Sequence, residues 1–416
     1  MTNLLRNGSL AALVAAATLV ACSDRTITAP EPPLAASDIA VDAAARSPQA
    51  QGTASVRWNA LARDLVASRK IDPPMAARFY AMLSVAQHVA VVGVKSAAHD
   101  EGHARHQLAP AAVIGASAAV LVAVFPEDAA LVRAREAADA SRLLAGSPNA
   151  KDVASGVDIG RAAAARVIAR AATDGFDAKW TGSVPSGPGY WFPRLDNTPP
   201  LRPTWGNVRP WLLRLGSQFR PPPPPAFESS EFVAALREVR QISDTRTAEQ
   251  LAIAAYWADG AGTVTPPGHW NKIGAELIDR HHFDEEQAAL TLALLNMALM
   301  DAGIACWDAK YTYWLLRPSQ ADPQISTPLG LPYFPSYVSG HATFSGAASE
   351  LLGAVFPGDR RALMAMADEA ALSRLYGGIH YRFDNERGLA LGRKIGSLAV
   401  ALLPRGRSGQ AVLSLP

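Results

Sequence analysis

Three stretches towards the C-terminal end of the chain hold residues that could bind and process a small anion. In Lys310-Tyr-Thr-Tyr-Trp-Leu-Leu-Arg317-Pro318 the two cations stand seven residues apart, two helical turns, so both face one side of a helix. In Phe334-Pro335-Ser336-Tyr337-Val338-Ser339-Gly340-His341-Ala342-Thr343 a hydroxyl, an unhindered backbone N–H and an imidazole meet at a loop-to-helix junction, where the first amides of a helix attract negative charge. In Ser373-Arg374-Leu-Tyr-Gly-Gly-Ile-His380-Tyr-Arg-Phe-Asp384 the imidazole and carboxylate are four residues apart on an expected helix, close enough for Asp384 to set the tautomer of His380.

Each stretch alone has an ordinary explanation. A Lys and an Arg two turns apart usually form a solvated face, although here Tyr311, Tyr313, Trp314, Leu315 and Leu316 surround them. Ser-Gly ahead of a helix is a common cap. The remaining histidines, His88, His99, His103, His106, His269, His281 and His282, read as core or surface residues. The joint arrangement points further. A multiply charged oxyanion in a pocket that excludes water is costly unless paired, and three cations with fixed donors offset that cost. Forked guanidinium donors match its oxygens.

The elements that must position these groups are helical. Of the 416 residues, 49% are hydrophobic, enough for a sizeable core in one large domain or two ordinary ones. The net charge of +2 gives no indication of a nucleic-acid partner. Apolar periodicity predicts helices over Met75–Val94, over Ala111–Phe125 with Pro110 starting it, over Ala129–Leu144 and over Val157–Ala172. It predicts further helices over Glu285–Leu316, closed by Arg317-Pro318, and over Ala342–Val355, Arg360–Leu375 and Glu386–Leu402. No strand-like alternation and no internal repeat stands out. The fold class expected is all-α: two helical bundles, residues 53–181 and 229–416, with the active site in the second. Residues 182–228 join them. Five consecutive prolines at 221–225 forbid regular helix there, and the interleaved Tyr190, Trp191, Phe192, Trp205 and Trp211 suggest an ordered loop packed across a surface.

The N-terminus reads as a lipoprotein signal peptide over residues 1–22. Arg6 supplies the positive region, Leu10–Val20 the apolar one, and Leu19-Val20-Ala21-Cys22 resembles a bacterial lipobox, which would make Cys22 the lipidated first residue. Residues 23–52, rich in Ala, Pro, Ser and Thr, read as a flexible tether. With Cys22 modified, Cys306 has no disulfide partner. No later run approaches about 18 apolar residues uninterrupted by charges or breakers, so the expected location is exported, soluble apart from a lipid anchor to a bacterial envelope membrane.

The order Lys-x6-Arg-Pro, Ser-Gly-His, Ser-Arg-x5-His-x3-Asp resembles the signature shared by vanadium-dependent haloperoxidases and type-2 phosphatidic acid phosphatases. The resemblance implies that Lys310, Arg317 and Arg374 neutralise the oxyanion, that Ser339 and the Gly340 N–H bond its oxygens, that His341 is the acid/base, and that His380 bonds to vanadium or attacks phosphorus. Val338 departs from the family pattern, which usually has proline there, and leaves φ unlocked. Tyr256-Trp257-Ala258-Asp259-Gly260 followed by Thr265-Pro266-Pro267-Gly268-His269-Trp270-Asn271 is similar to a stretch in the soluble haloperoxidases, implying that Asp259 buttresses the cations. Trp307 and Phe334 resemble that family's halide-side aromatics, with simple core packing as the other reading. The implied cofactor is vanadate, whose site phosphate can occupy, and the implied partners are hydrogen peroxide, halide and a small organic substrate, with no nucleic acid. Two alternatives stay open: a phosphatase working through a phosphohistidine, and a non-catalytic oxyanion-binding lipoprotein.

Overall fold

Capping and burial set where the helices of this protein start and how they stack. The computed structural model describes residues 52–97, 102–145, 150–193 and 198–404; Cys22, the apolar run before it and most of the expected tether lie outside the described residues. The α-helices are α1 (Ala54–Ser68), α2 (Pro73–Ala97), α3 (Gly102–Val124), α4 (Ala129–Ala145), α5 (Ala150–Ala171), α6 (Ser230–Thr245), α7 (Ala248–Tyr256), α8 (Thr265–Arg280), α9 (Glu285–Tyr313), α10 (Pro318–Ala321), α11 (Gly340–Val355), α12 (Arg360–Tyr376) and α13 (Arg382–Val400). Among the described residues there is no strand, only one isolated bridge between Tyr190 and Leu315. The all-α expectation holds.

Helix α9 is the central element. Asp284 caps its start, accepting from the Gln287 N–H, and Gln287 answers with its side chain. It is apolar on every side and buried on nearly every side, as a helix without a polar face must be. Helices α2, α3 and α5 pack together in the first half, α11, α12 and α13 in the second, and α9 packs against α2 on one side and against α11 and α13 on the other. One main apolar core runs through both halves. Two helices, α2 and α9, are after all long and apolar enough to cross a membrane by length and composition. Their apolar windows are 83% and 94% buried inside the fold, which accounts for that composition.

Helices α11 and α13 approach closely because α13 carries glycine at the crossing. A Cβ on Gly392 would stand 2.1 Å from the Thr343 carbonyl oxygen, and one on Gly388 would stand 2.8 Å from that of Ser339. This contact lets the Ser339 N–H reach the Asp384 carbonyl at 3.0 Å, joining the start of α11 to the start of α13.

Three sequence expectations change. Pro110 does not start α3 but lies inside it. A proline in a helix interior costs about 3 kcal/mol, which the buried run Ala111–Ile114 behind it helps to offset. Helix α9 stops at Tyr313, three residues short of the expected Leu316, because Trp314 turns left-handed (φ 51°). Lys310 and Arg317 are therefore not two turns apart on one helical face. His380 is not helical either. The chain turns at Gly377-Gly378, with Gly378 at φ +71°, and α13 begins only at Arg382.

The described residues of the 182–228 loop pack against this scaffold. Trp191, Trp205 and Trp211 are buried. The Asp301 carboxylate on α9 accepts the N–H groups of Trp211, Leu212 and Leu213 at 2.7–2.8 Å. The proline run, which has no N–H of its own, offers carbonyls instead: Pro221 accepts from the Tyr313 hydroxyl and Pro222 from that of Tyr337.

Candidate active site

Lys310 sits in the last turn of α9, fully buried, and its Nζ donates to the carbonyls of Pro335 and Ser336, both at 2.8 Å. Arg317 lies just past the left-handed turn at Trp314. The 182–228 loop holds that passage, with Trp191 N–H donating to the Trp314 carbonyl and Leu316 N–H to that of Gly189. Arg317 Nε then donates to the Phe334 carbonyl at 3.0 Å, and Nη1 to that of Ile379 at 2.7 Å. Three consecutive carbonyls, 334 to 336, thus gather both cations. The third cation, Arg374, is buried at the end of α12 and donates to the Ala254 carbonyl and the Ser373 hydroxyl. None of the three spends its hydrogen bonds on a carboxylate. Burial pushes the Lys310 ammonium down to about 7 and the two guanidiniums to about 10.

His380 is buried between a carboxylate and a guanidinium. Its Nδ1 lies 2.8 Å from Asp384 Oδ2, while Arg317 Nη1 donates to its Nε2 at 3.0 Å. The Nδ1–H tautomer satisfies both contacts. Asp384 Oδ2 also accepts the Ser336 hydroxyl at 2.5 Å and the Tyr381 N–H at 3.2 Å. Burial raises the Asp384 carboxyl, against the opposing pull of Ser336, Lys310 and Arg317. Burial, followed by the charges of Arg317 and Lys310, holds His380 well below the usual imidazole range, so it is neutral.

Ser339 is the N-cap of α11. Its Oγ accepts from the Ala342 N–H, which leaves its own proton to donate. Gly340 and His341 open the helix, so their N–H groups have no intrahelical acceptor. A Cβ on Gly340 would meet nothing nearer than Trp307 at 3.8 Å, so glycine leaves that amide uncovered. His341 is half-buried, yet its Nε2 is shielded from solvent and has no hydrogen-bond partner. The backbone of Trp257 and Ala258 lies against its ring and favours the protonated form. Burial, then Arg374, pushes its pKa well below the ordinary value. Arg317 Nη2 is likewise buried and unpartnered. Trp307 and Phe334 pack beside the cations with ring centroids 4.9 Å apart and planes tilted by 46°, and Lys310 Nζ lies 4.9 Å from the Phe334 ring. Asp259 is the charge that favours the Arg374 cation.

The sequence residues Lys310, Arg317, Ser339, Gly340, His341, Arg374, His380 and Asp384 therefore converge, with Asp259, Trp307 and Phe334 at the margin. Two residues escaped the sequence reading. Ser336 stands in the same motif as Ser339 but gave no separate signal, because its role depends on Asp384, 48 residues away. His269 was read as an ordinary core or surface histidine; it faces Asp259 at 3.1 Å.

Among the described residues no group of three or more His, Cys, Asp or Glu side chains could hold a metal ion. The donor set is instead cationic and protic, suited to an anion with several oxygens. Two buried donors or acceptors, Arg317 Nη2 and His341 Nε2, lack protein partners, so the residues present fit an oxyanion.

Known proteins point the same way. The family described as "VCPO second helical-bundle domain" matches residues 360–409. The chain is 30% identical over 147 residues to the vanadium chloroperoxidase of Curvularia inaequalis, a stretch that covers 28% of this chain and about a quarter (24%) of that relative's length. Its structure is similar to a bacterial vanadium-dependent iodoperoxidase, with TM-score 0.70 and 26% identity over 84% of this chain and 94% of that one. A bacterial vanadium-dependent chloroperoxidase in its holo form has the same fold, with TM-score 0.63 and 16% identity over 80% and 92%.

Proposed function

This chain belongs to the vanadium haloperoxidase family, and on that premise we propose that it uses hydrogen peroxide to oxidise halide to hypohalous acid at a vanadate held by His380. The observation that carries the reading is three buried cations whose hydrogen bonds go to carbonyls, a hydroxyl and the His380 imidazole but to no carboxylate, with Arg317 Nη2 left over. Buried cations that are hydrogen-bonded to no carboxylate are costly, and an oxyanion supplies a direct counter-charge.

Lys310, Arg317 and Arg374 would hold the anion's charge, and the Ser339 hydroxyl and Gly340 N–H would donate to its oxygens. His380, with its proton fixed on Nδ1 by Asp384, keeps Nε2 as the electron-pair donor. Vanadate, when bound, supplies the Lewis acidity that makes hydrogen peroxide electrophilic towards halide, without a redox change at the metal. His341 is neutral, so its free Nε2 accepts the proton that hydrogen peroxide must lose and later returns it. The buried cations offset negative charge as it shifts among the oxygens, and they need no reorganisation to do so. Hypohalous acid would then halogenate or oxidise small organic molecules.

The test is to load the purified protein with vanadate and assay bromide-dependent peroxide consumption, beside phosphate-ester hydrolysis without vanadate. Activity in the first assay and none in the second is expected. Hydrolysis alone overturns the reading in favour of phosphohistidine chemistry. We infer separately, from Arg6, the apolar run and Cys22, that the protein is exported and lipid-anchored.

A further inference from the structure

The segment that faces His341 from behind is itself clamped by a second histidine. Residues 256–259 close α7, and the backbone of Trp257 and Ala258 faces the His341 ring. Asp259 follows in a left-handed conformation (φ 43°), which a non-glycine residue holds only when tertiary contacts pay for it. Those contacts come from His269 on α8. Its Nδ1 lies 3.2 and 3.1 Å from the two Asp259 carboxylate oxygens, and its Nε2 lies 3.3 Å from the Tyr256 hydroxyl. Its ring stacks on that of Trp257, with centroids 4.5 Å apart and planes 21° apart. One imidazole therefore grips three of the four residues in the segment.

We propose that His269 is the positioning residue for His341: it fixes the 256–259 segment so that the Trp257 and Ala258 carbonyls hold His341 Nδ1 and leave Nε2 aimed into the pocket, while Asp259 stays beside Arg374. The assignment deepens the haloperoxidase reading and rests on it. Packing alone does not explain the arrangement. His88 on α2 is a histidine that only packs: it is buried, and neither of its ring nitrogens has a partner. His269 has partners at both, from a neighbouring element. The charge of Asp259 favours the Arg374 cation, and His269 and Arg374 both act electrostatically on His341, so the clamp, the acid/base and the oxyanion cation form one connected unit.

The test compares two substitutions. His269→Phe keeps a ring to stack on Trp257 but removes both hydrogen bonds. His269→Asn keeps a donor where Nδ1 stands and so keeps the hold on Asp259. The first readout is the ¹⁵N spectrum of labelled histidines in protein free of any anion, with His341 assigned from His341→Gln. Wild type and His269→Asn are expected to show His341 as a single Nδ1–H tautomer, and His269→Phe a mixture. The second readout is bromide oxidation by vanadate-loaded protein. His269→Phe is expected to lower kcat about 10- to 100-fold, with KM for peroxide changed by less than about twofold and most of the loss recovered in His269→Asn. An unchanged His341 spectrum in His269→Phe, or equal losses in the two variants, overturns the proposal. If the wild type oxidises no halide while the His341 tautomer still depends on residue 269, the haloperoxidase reading falls and the positioning role stands.

Discussion

His380 Nδ1 lies 2.8 Å from Asp384 Oδ2, and the two residues are on different elements: His380 is on the turn after α12, Asp384 in the first turn of α13. Asp384 thus serves two purposes with one oxygen, closing the start of α13 through the Tyr381 N–H and fixing the His380 tautomer. The roles of the two site histidines follow. His380→Ala should abolish tight vanadate retention, since only electrostatic contacts and hydrogen bonds remain. His341→Ala should retain much of the vanadate and lose turnover by about 10² to 10⁴-fold, the usual worth of a positioned acid/base. Equilibrium dialysis of vanadate beside a bromide oxidation assay separates the two. Equal vanadate loss in both variants would mean the roles are misassigned.

Lys310 makes anion binding pH-dependent. Burial lowers its pKa to about 7, whereas a bound anion restores the charged form and raises it. Between those two values binding takes up a proton, so affinity falls as pH rises above about 7, by at most about tenfold per unit for one linked proton. Below about 7 the lysine is already charged and this contribution levels off. Calorimetric titration with inorganic phosphate from pH 6 to 9 measures the slope, and Lys310→Met should both weaken binding and flatten the curve. A slope the same in wild type and Lys310→Met assigns the proton to another group.

Ser336 supports Asp384 rather than the anion. Ser336→Ala removes the 2.5 Å hydrogen bond to Oδ2 and should cost about 1.5–3 kcal/mol of stability, the range for a bond to a charged group. Urea unfolding reads the loss. Because Ser336 holds the Asp384 carboxyl down against burial, its removal raises that pKa further and weakens the hold on the His380 tautomer. No change in stability would show the contact to be incidental.

Asp301 should behave as the anchor of the proline-rich loop. It accepts three backbone N–H groups in the core, and burial still lifts its pKa to about 6. Asp301→Ala strands those donors at a cost of about 3 kcal/mol or more, and limited proteolysis should find cleavage within residues 211–225. The sign of the pH effect is set by the raised pKa. The folded protein binds the Asp301 proton more tightly than the unfolded chain does. The resulting cost to stability is absent below the unfolded value near 4, grows as pH rises from there to about 6, and stays constant above it.

The proposed lipid anchor is tested separately from the enzyme chemistry. Cys22 should begin the mature chain and carry lipid, and mass spectrometry of the membrane-extracted protein reads this directly. An unmodified N-terminus upstream of Cys22 removes the anchor and leaves the site assignment untouched.

The amino-acid sequence by itself determined the all-helical class and singled out eight candidate residues that the fold brings together, because apolar period and motif chemistry are local properties. Helix ends were less legible. Trp314 leaves the helix without a glycine or proline to announce it, so Arg317 was placed on the wrong side of a turn, and His380 was placed on a helix with Asp384 although α13 begins only at Arg382. Only the tertiary structure decided how the groups meet. Lys310 and Arg317 share three carbonyls of residues 334–336 instead of a helical face. Ser336 finds Asp384, and His269 finds Asp259, across elements whose approach depends on packing. A side chain's hydrogen-bond partner distant in sequence leaves no periodic trace, since it is set by where two packed helices come to rest.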